Sequence, residues 1–281
     1  MTQRSKSAIL CPNCRKLISR DESHCPHCGI SRPGSRWRQL AGGRVLENPY
    51  LLWRWLLALN IAMYTISLLI NPRALQLSLN PFAMLSPGND SLFMLGATGT
   101  IPIDRFHRWW SLVAANYLHG GLLHILFNML ALRQIAPLVF HEFGIHRTLI
   151  LYTLSGIGGF GVSYLAGVPF TIGASAAVCG LIGAILYFGK RRGGAYGQTI
   201  VKQIGGWVFG IFIFGFLVPG INNWGHGGGL AAGAALAFAL GYQERGAAPG
   251  WQRLLAVGCV LTTLTILAWA VGTGLYYRLL A

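Results

Sequence analysis

Downstream of residue 50 the chain alternates between long apolar runs and short polar connections, whereas its first fifty residues are polar throughout. The runs are Leu51–Ile70, Leu118–Phe140, Leu149–Ala166, Gly173–Phe188, Val201–Val218, Trp224–Tyr242 and Leu254–Tyr276. Most match the roughly 20 residues that a helix needs to cross a hydrocarbon core of about 30 Å. The pattern predicts an all-α polytopic membrane protein: six helices forming one bundle, one further C-terminal transmembrane helix, and a small polar head before them.

Composition agrees, since 53% hydrophobic residues and 10% charged residues over 281 positions are too apolar a mixture for a soluble domain. The net charge of +15 raises the possibility of nucleic acid. No basic patch interleaved with aromatic residues accompanies it, so no nucleic-acid partner is expected. The basic residues instead sort by side. Seventeen of the 22 Lys and Arg fall with the N-terminal segment and the loops on its face, against Arg73, Arg105, Arg108 and Arg278 opposite. The positive-inside rule then puts the N-terminus in the cytoplasm and the C-terminus outside a plasma (inner) membrane. No cleavable signal sequence is recognisable, so the first span is expected to direct insertion.

Spans two, four and six enter from the same, outer face, and each carries polar residues near that entrance: His119, His124 and Asn128; Ser175; and His226. Polar groups are expensive in hydrocarbon, so three sets at one depth point to a single water-accessible site. Ser175, Cys179 and Gly183 share one helix face, as do His226, Gly229 and Gly233. Small residues let two membrane helices approach closely, which would bring Ser175 to His226 as nucleophile and base. All seven acids lie outside the spans, so a Ser/His dyad is expected rather than a triad. His124 and Asn128, one turn apart, are the expected oxyanion donors, helped by the backbone N–H of Ser175, while His119 reads as a cap or loop-fixing residue. Three histidines could in principle hold zinc, but no His-Glu-x-x-His occurs, and no cofactor is expected for catalysis. Intramembrane charge pairs and inverted repeats, which would mark a transporter, are absent from the sequence.

The head contains Cys11-Pro-Asn-Cys14 and Cys25-Pro-His-Cys28. Two such knuckles suit a tetrahedral structural zinc held by Cys11, Cys14, Cys25 and Cys28. So short a segment buries little core, so the metal would supply most of its folding free energy. The expected organisation is a zinc ribbon over 1–30, a basic linker over 31–48 able to touch anionic lipid, a transmembrane domain over 49–242 and the extra helix within 243–281.

His119-Gly-Gly-Leu-Leu-His124-Ile-Leu-Phe-Asn128, Gly173-Ala-Ser175 and Gly225-His226-Gly-Gly-Gly229-Leu-Ala-Ala-Gly233 resemble the three signatures of rhomboid intramembrane serine proteases, and Arg108-Trp109-Trp110 resembles an outer-loop element of that family. The resemblance runs from about residue 50 to 240. It implies a rhomboid-like bundle in which Ser175 is the nucleophile, His226 the base, and His124 and Asn128 line the oxyanion hole. The implied reaction is cleavage of transmembrane segments in single-pass or polytopic membrane proteins, within the lipid bilayer. Ala176 stands where the family usually has glycine, and Cys179 where an aromatic often packs on the histidine. The alternative is therefore an inactive rhomboid-like protein that binds and escorts membrane proteins.

Overall fold

The computed structural model describes residues 8–11, 16–27, 31–35, 49–72, 76–77, 84–218, 220–243 and 248–280. The chain divides into two compact units, Met1–Leu52 and Trp53–Ala281.

In the first unit, β1 (Ala8–Leu10) and β2 (Leu17–Ser19) pair antiparallel with Ile9 opposite Ile18. The Cys11 N–H donates to the Lys16 carbonyl at 3.0 Å, just beyond the paired strands. Cys11 and Cys25 are buried together with Ile18, and Ile9 packs against them. Cys14 and Cys28 lie outside the described residues.

The second unit is a multi-pass bundle of membrane helices. Helix α1 (Pro49–Ile70) is followed by the short strands β3 (Gln76–Leu77) and β4 (Met84–Ser86). Next come α2 (Asn89–Met94), a π-helical turn over Ile101–Arg105, and α3 (Ser111–Ala114), which tightens into a 3₁₀ turn over Ala115–Tyr117. The long rods are α4 (Leu122–Leu165), α5 (Ser175–Arg192), α6 (Gly194–Leu217), α7 (Asn223–Leu240) and α8 (Gly250–Leu280).

Helix α4 contains 44 residues. Straight, it would be about 66 Å long, twice a bilayer core. It bends instead at Gly144, whose backbone (φ 74°, ψ 170°) is a conformation that side chains strongly disfavour. Its two arms, 122–143 and 145–165, carry the expected spans two and three. The segment from Leu118 to Gly121 is not helical, so His119 sits in the loop before α4. Likewise the fourth run becomes helical only at Ser175, which is the first residue of α5.

By length and apolarity alone, only Trp53–Ile70, α4, α6 and Gly250–Arg278 qualify as spans among the described residues. Helices α5 and α7, at 18 residues each, are long enough but less apolar: α5 ends in Lys190, Arg191 and Arg192, and α7 is mostly Gly and Ala. Their surroundings explain the composition. Every residue from Ala176 to Ile185 of α5 is buried, and α5, α7 and α4 form the most extensively packed group in the unit. A helix walled in by protein meets little lipid and can give up large apolar side chains for closer contact.

That contact is backbone against backbone. A methyl on Gly233 would lie 2.5 Å from the carbonyl carbon and 2.6 Å from the Cα of Gly180, and one on Gly229 would lie 3.0 Å from the carbonyl carbon of Ala176. Gly183 faces the backbone of Leu230 in the same way. The face of α5 that meets α7 is thus Ala176, Gly180 and Gly183, one residue round from the expected Ser175, Cys179 and Gly183 set. Polar clamps tie the periphery to this centre. Arg147 Nε donates to Gln252 Oε1 at 2.8 Å, and Gln252 Nε2 donates to the Leu240 carbonyl at 2.9 Å, which joins α8 to α4 and α7.

Gly233→Val should lower the thermal unfolding midpoint of the detergent-solubilised protein, because a backbone neighbour cannot yield and overpacking costs about 1–3 kcal/mol or more. Gly272→Val, on an open face of α8 with nothing within 4 Å of an added methyl, should leave the midpoint almost unchanged.

Candidate active site

Three helices begin at the same end of the bundle, and their first turns meet. Ser175 opens α5, His226 lies in the first turn of α7, and His124 lies in the first turn of α4. Helix N-termini carry unpaired N–H groups and a partial positive charge, so their convergence favours an anion between them.

His226 Nε2 lies 2.9 Å from Ser175 Oγ. His226 is only 7% exposed, whereas Ser175 is half-buried and therefore reachable. His226 Nδ1 has no hydrogen-bond partner among the described residues, and no carboxylate orients the ring. The pair is thus a hydroxyl and an imidazole without a third group.

His124 lies beside this pair. Its Nδ1 accepts from the Gly120 N–H at 3.3 Å, which leaves Nε2 as the proton-bearing nitrogen of the neutral ring. Nε2 faces Gly173: a methyl there would lie 2.7 Å from His124 Nε2 and 3.5 Å from Ser175 Oγ. With φ at +126°, Gly173 also holds a backbone turn that a side chain would strain. Glycine at this position therefore leaves space between the imidazole donor and the serine. Asn128 is drawn back onto its own helix, with Nδ2 donating to the His124 carbonyl at 2.9 Å. To reach a ligand at Ser175, its side chain must rotate away from that carbonyl. His119 is fully buried and packs edge-on against the His124 ring at 5.1 Å.

Ala176 does not project into this space. Its methyl is buried in a small cluster with Ala115 and Phe160, with Leu112 packed alongside. The departure from glycine is thus absorbed by the interface between α5 and its neighbours. Cys179 is buried as well, 2% exposed.

Loop contacts hold these side chains in place. Thr98 and Thr171 exchange backbone hydrogen bonds at 3.0 and 2.7 Å, and the Gly173 N–H donates to the Ala115 carbonyl at 2.9 Å, which together anchor the segment leading into Ser175. On the His226 side the organiser is Asn222, which motif reading passed over. Its Oδ1 caps α7 by accepting from the Gly225 N–H at 2.9 Å, and its Nδ2 donates to Ser163 Oγ at 2.6 Å and Thr171 Oγ1 at 2.9 Å. One amide thereby joins the end of α4, the approach to α5 and the start of α7. Asn immediately before a helical run is a recognisable cap signal, but its two cross-chain acceptors are not readable from sequence.

Fold and site define a helical membrane protein with a serine and a histidine in contact at the helix N-termini. Residues 107–243 match the Rhomboid domain family. It is 36% identical over 171 residues to rhomboid protease GluP of Bacillus subtilis, an alignment covering 61% of this chain and 32% of that protein. RHOMBOID-like protein 4 of Arabidopsis thaliana is 33% identical over 159 residues, covering 56% of this chain and 40% of its own length. Inactive RHOMBOID-like protein 8 of the same plant is 32% identical over 158 residues, covering 54% and 44%. The chain thus spans about a third to a half of these relatives' lengths.

Asn222→Ala removes the α7 cap and both cross-links, and should destabilise the protein by more than the roughly 0.5–2 kcal/mol typical of a cap alone, read as a lower thermal midpoint. Asn222→Asp keeps the accepting oxygen and should fall between Ala and the parent in the same unfolding measurement.

Proposed function

We propose that this protein is an intramembrane serine endopeptidase that cleaves transmembrane segments of single-pass or polytopic membrane proteins by a Ser175/His226 dyad. The observation that carries the proposal is the 2.9 Å contact between His226 Nε2 and Ser175 Oγ at the meeting of three helix N-termini. His226 Nε2 takes the hydroxyl proton as Ser175 Oγ attacks the scissile carbonyl. The oxyanion forms beside His124 Nε2–H and the first-turn N–H of Ser175, with Asn128 joining once it releases the His124 carbonyl. Each such donor is worth roughly 2.7–4 kcal/mol at the transition state. His226 then protonates the leaving amine, and water activated by the same imidazole releases the acyl group.

A helical substrate hides its peptide bonds in its own hydrogen bonds, so segments with small or helix-breaking residues near one end are the favoured substrates. The half-buried Ser175 supports entry from the side of α6, which is buried only at Gly197, Ile200, Ile204 and Gly215. The charge bias supports an orientation in which the site faces the outer leaflet of the plasma membrane, with the N-terminus cytoplasmic and the C-terminus extracytoplasmic. A non-cleaving escort is the second reading, favoured by Ala176 and by the likeness to a relative named inactive. The burial of the Ala176 methyl away from Ser175 weighs against it.

For the head, we propose one structural zinc held by Cys11, Cys14, Cys25 and Cys28. The burial of Cys11 and Cys25 in one cluster, one from each knuckle, supports that fit.

Labelling of the purified protein by a serine-directed fluorophosphonate should be lost in both Ser175→Ala and His226→Ala, and Ser175→Ala should stop cleavage of a co-expressed single-span substrate. Equal labelling in parent and variants would remove the enzyme reading. Elemental analysis should find one zinc per chain, and Cys11→Ser with Cys25→Ser should abolish it while leaving cleavage by the membrane domain measurable.

A further inference from the structure

At the end of the bundle that carries Ser175, but apart from it, a cavity of about 220 Å³ opens between α8 and the segment around α2 and α3. Met94, Arg108 and Trp110 line one side, and Trp269, Thr273 and Tyr277 the other. None of the candidate catalytic residues borders it.

We propose that this cavity binds the phosphate of a membrane glycerophospholipid, with Arg108 as the cation and the Tyr277 hydroxyl as a neutral donor. The first argument is charge. Arg108 is half-buried and forms no ion pair with a carboxylate among the described residues, where the ion pair found is His141 with Glu142. Its guanidinium lies 4.2 Å over the Phe93 ring and donates from Nη1 to the Phe93 carbonyl at 2.7 Å. A guanidinium carries five N–H groups, so this contact leaves donors over to face the cavity in the forked geometry that suits phosphate oxygens. A partly desolvated cation with no internal counter-charge is an incomplete ion pair, and an anion completes it.

The second argument is depth. Trp269, Thr273 and Tyr277 are four residues apart and share one face of α8, rising about 12 Å toward its C-terminal end. Tyr276, Tyr277 and Arg278 stand together in the last turns, and Phe106 and Trp109 are exposed on the facing loop. Aromatic residues gathered in this way mark the level of lipid headgroups. Thr273 donates its hydroxyl proton to the Trp269 carbonyl at 2.9 Å and so has none for the phosphate, which leaves the Tyr277 hydroxyl as the neutral donor on this face. The exposed Trp269 ring offers the adjoining apolar wall that acyl chains would cover. The bound lipid would thus fasten α8 to the loop, and the inference stands whether or not Ser175 is a nucleophile.

The test uses the full chain, delipidated in a neutral maltoside detergent and titrated with phosphatidylglycerol under native mass spectrometry. Diacylglycerol of the same chain length and inorganic phosphate are run in parallel. One phosphatidylglycerol should be retained per chain and diacylglycerol should not. Arg108→Gln should weaken retention by roughly ten- to a hundredfold, and Tyr277→Phe by roughly three- to tenfold, as expected for losing a charged and a neutral hydrogen bond. Because Arg108 also secures the Phe93 carbonyl, Tyr277→Phe decides the matter if Arg108→Gln fails to fold. Retention unchanged in the folded variants, or equal retention of diacylglycerol, overturns the proposal. Displacement of the lipid by inorganic phosphate at equal concentration assigns the site to a free anion and overturns it too.

Discussion

The close approach of α5 to α7 is the constraint on which the site depends. Ser175 and His226 belong to different helices, and each can reach the other only because the helices touch at their backbones near Gly180, Gly229 and Gly233. A single added methyl at Gly233 would press on the Gly180 carbonyl carbon and Cα, which no side-chain rotation can relieve. In water such a glycine content would weaken a helix by roughly 0.5–1 kcal/mol per residue relative to alanine. Inside a membrane bundle the helix is held by its own hydrogen bonds and by its neighbours, so the same residues serve as contact surface.

Bringing the helices together also gathers their polar ends. Hydrocarbon makes isolated polar side chains costly, and the chain answers by placing Ser175, His226 and His124 in first turns at one end, where they can share water and one another. The supporting hydrogen bonds are mostly neutral. Thr98 pairs with Thr171, Gly173 with Ala115, and Asn222 with Gly225, Ser163 and Thr171. Among the described residues no carboxylate takes part, so geometry at His226 is maintained by packing and by the capped start of α7. The site therefore avoids a buried permanent charge, whose desolvation several neutral hydrogen bonds would be needed to offset.

Charged side chains lie away from the Ser175/His226 pair instead. Arg108 is clamped against Phe93 between the π-turn and α3, Arg147 is tied to Gln252, and the basic end of α5 lies at the opposite end of that helix from Ser175. Arg108 fastens a loop and the buried Arg147 fastens the last helix, and neither touches the Ser175/His226 pair. Helix α8 is attached at both levels, by the Gln252 clamp near its start and by its contacts with α2 and α3 further along.

Apolar run length and polar spacing determined much of this by themselves. They located the helices, singled out Ser175, His226, His124 and Asn128, and put Gly229 and Gly233 on a contact face, because burial in lipid leaves a strong local signature on composition and period. Other features were decided only by the tertiary structure. The bend at Gly144 depends on a backbone conformation that many glycines could adopt and few do. Whether Cys179 or Gly180 meets α7 is a rotation of one residue, which periodicity does not resolve when both are small. The direction of the Ala176 methyl and the Asn222 bonds to Ser163 and Thr171, 59 and 51 residues away, depend on distant neighbours, and the turn of Asn128 onto the His124 carbonyl is a rotamer that spacing does not fix. A sequence records which positions must be small, polar or apolar, but which group each will touch is settled only when the helices pack.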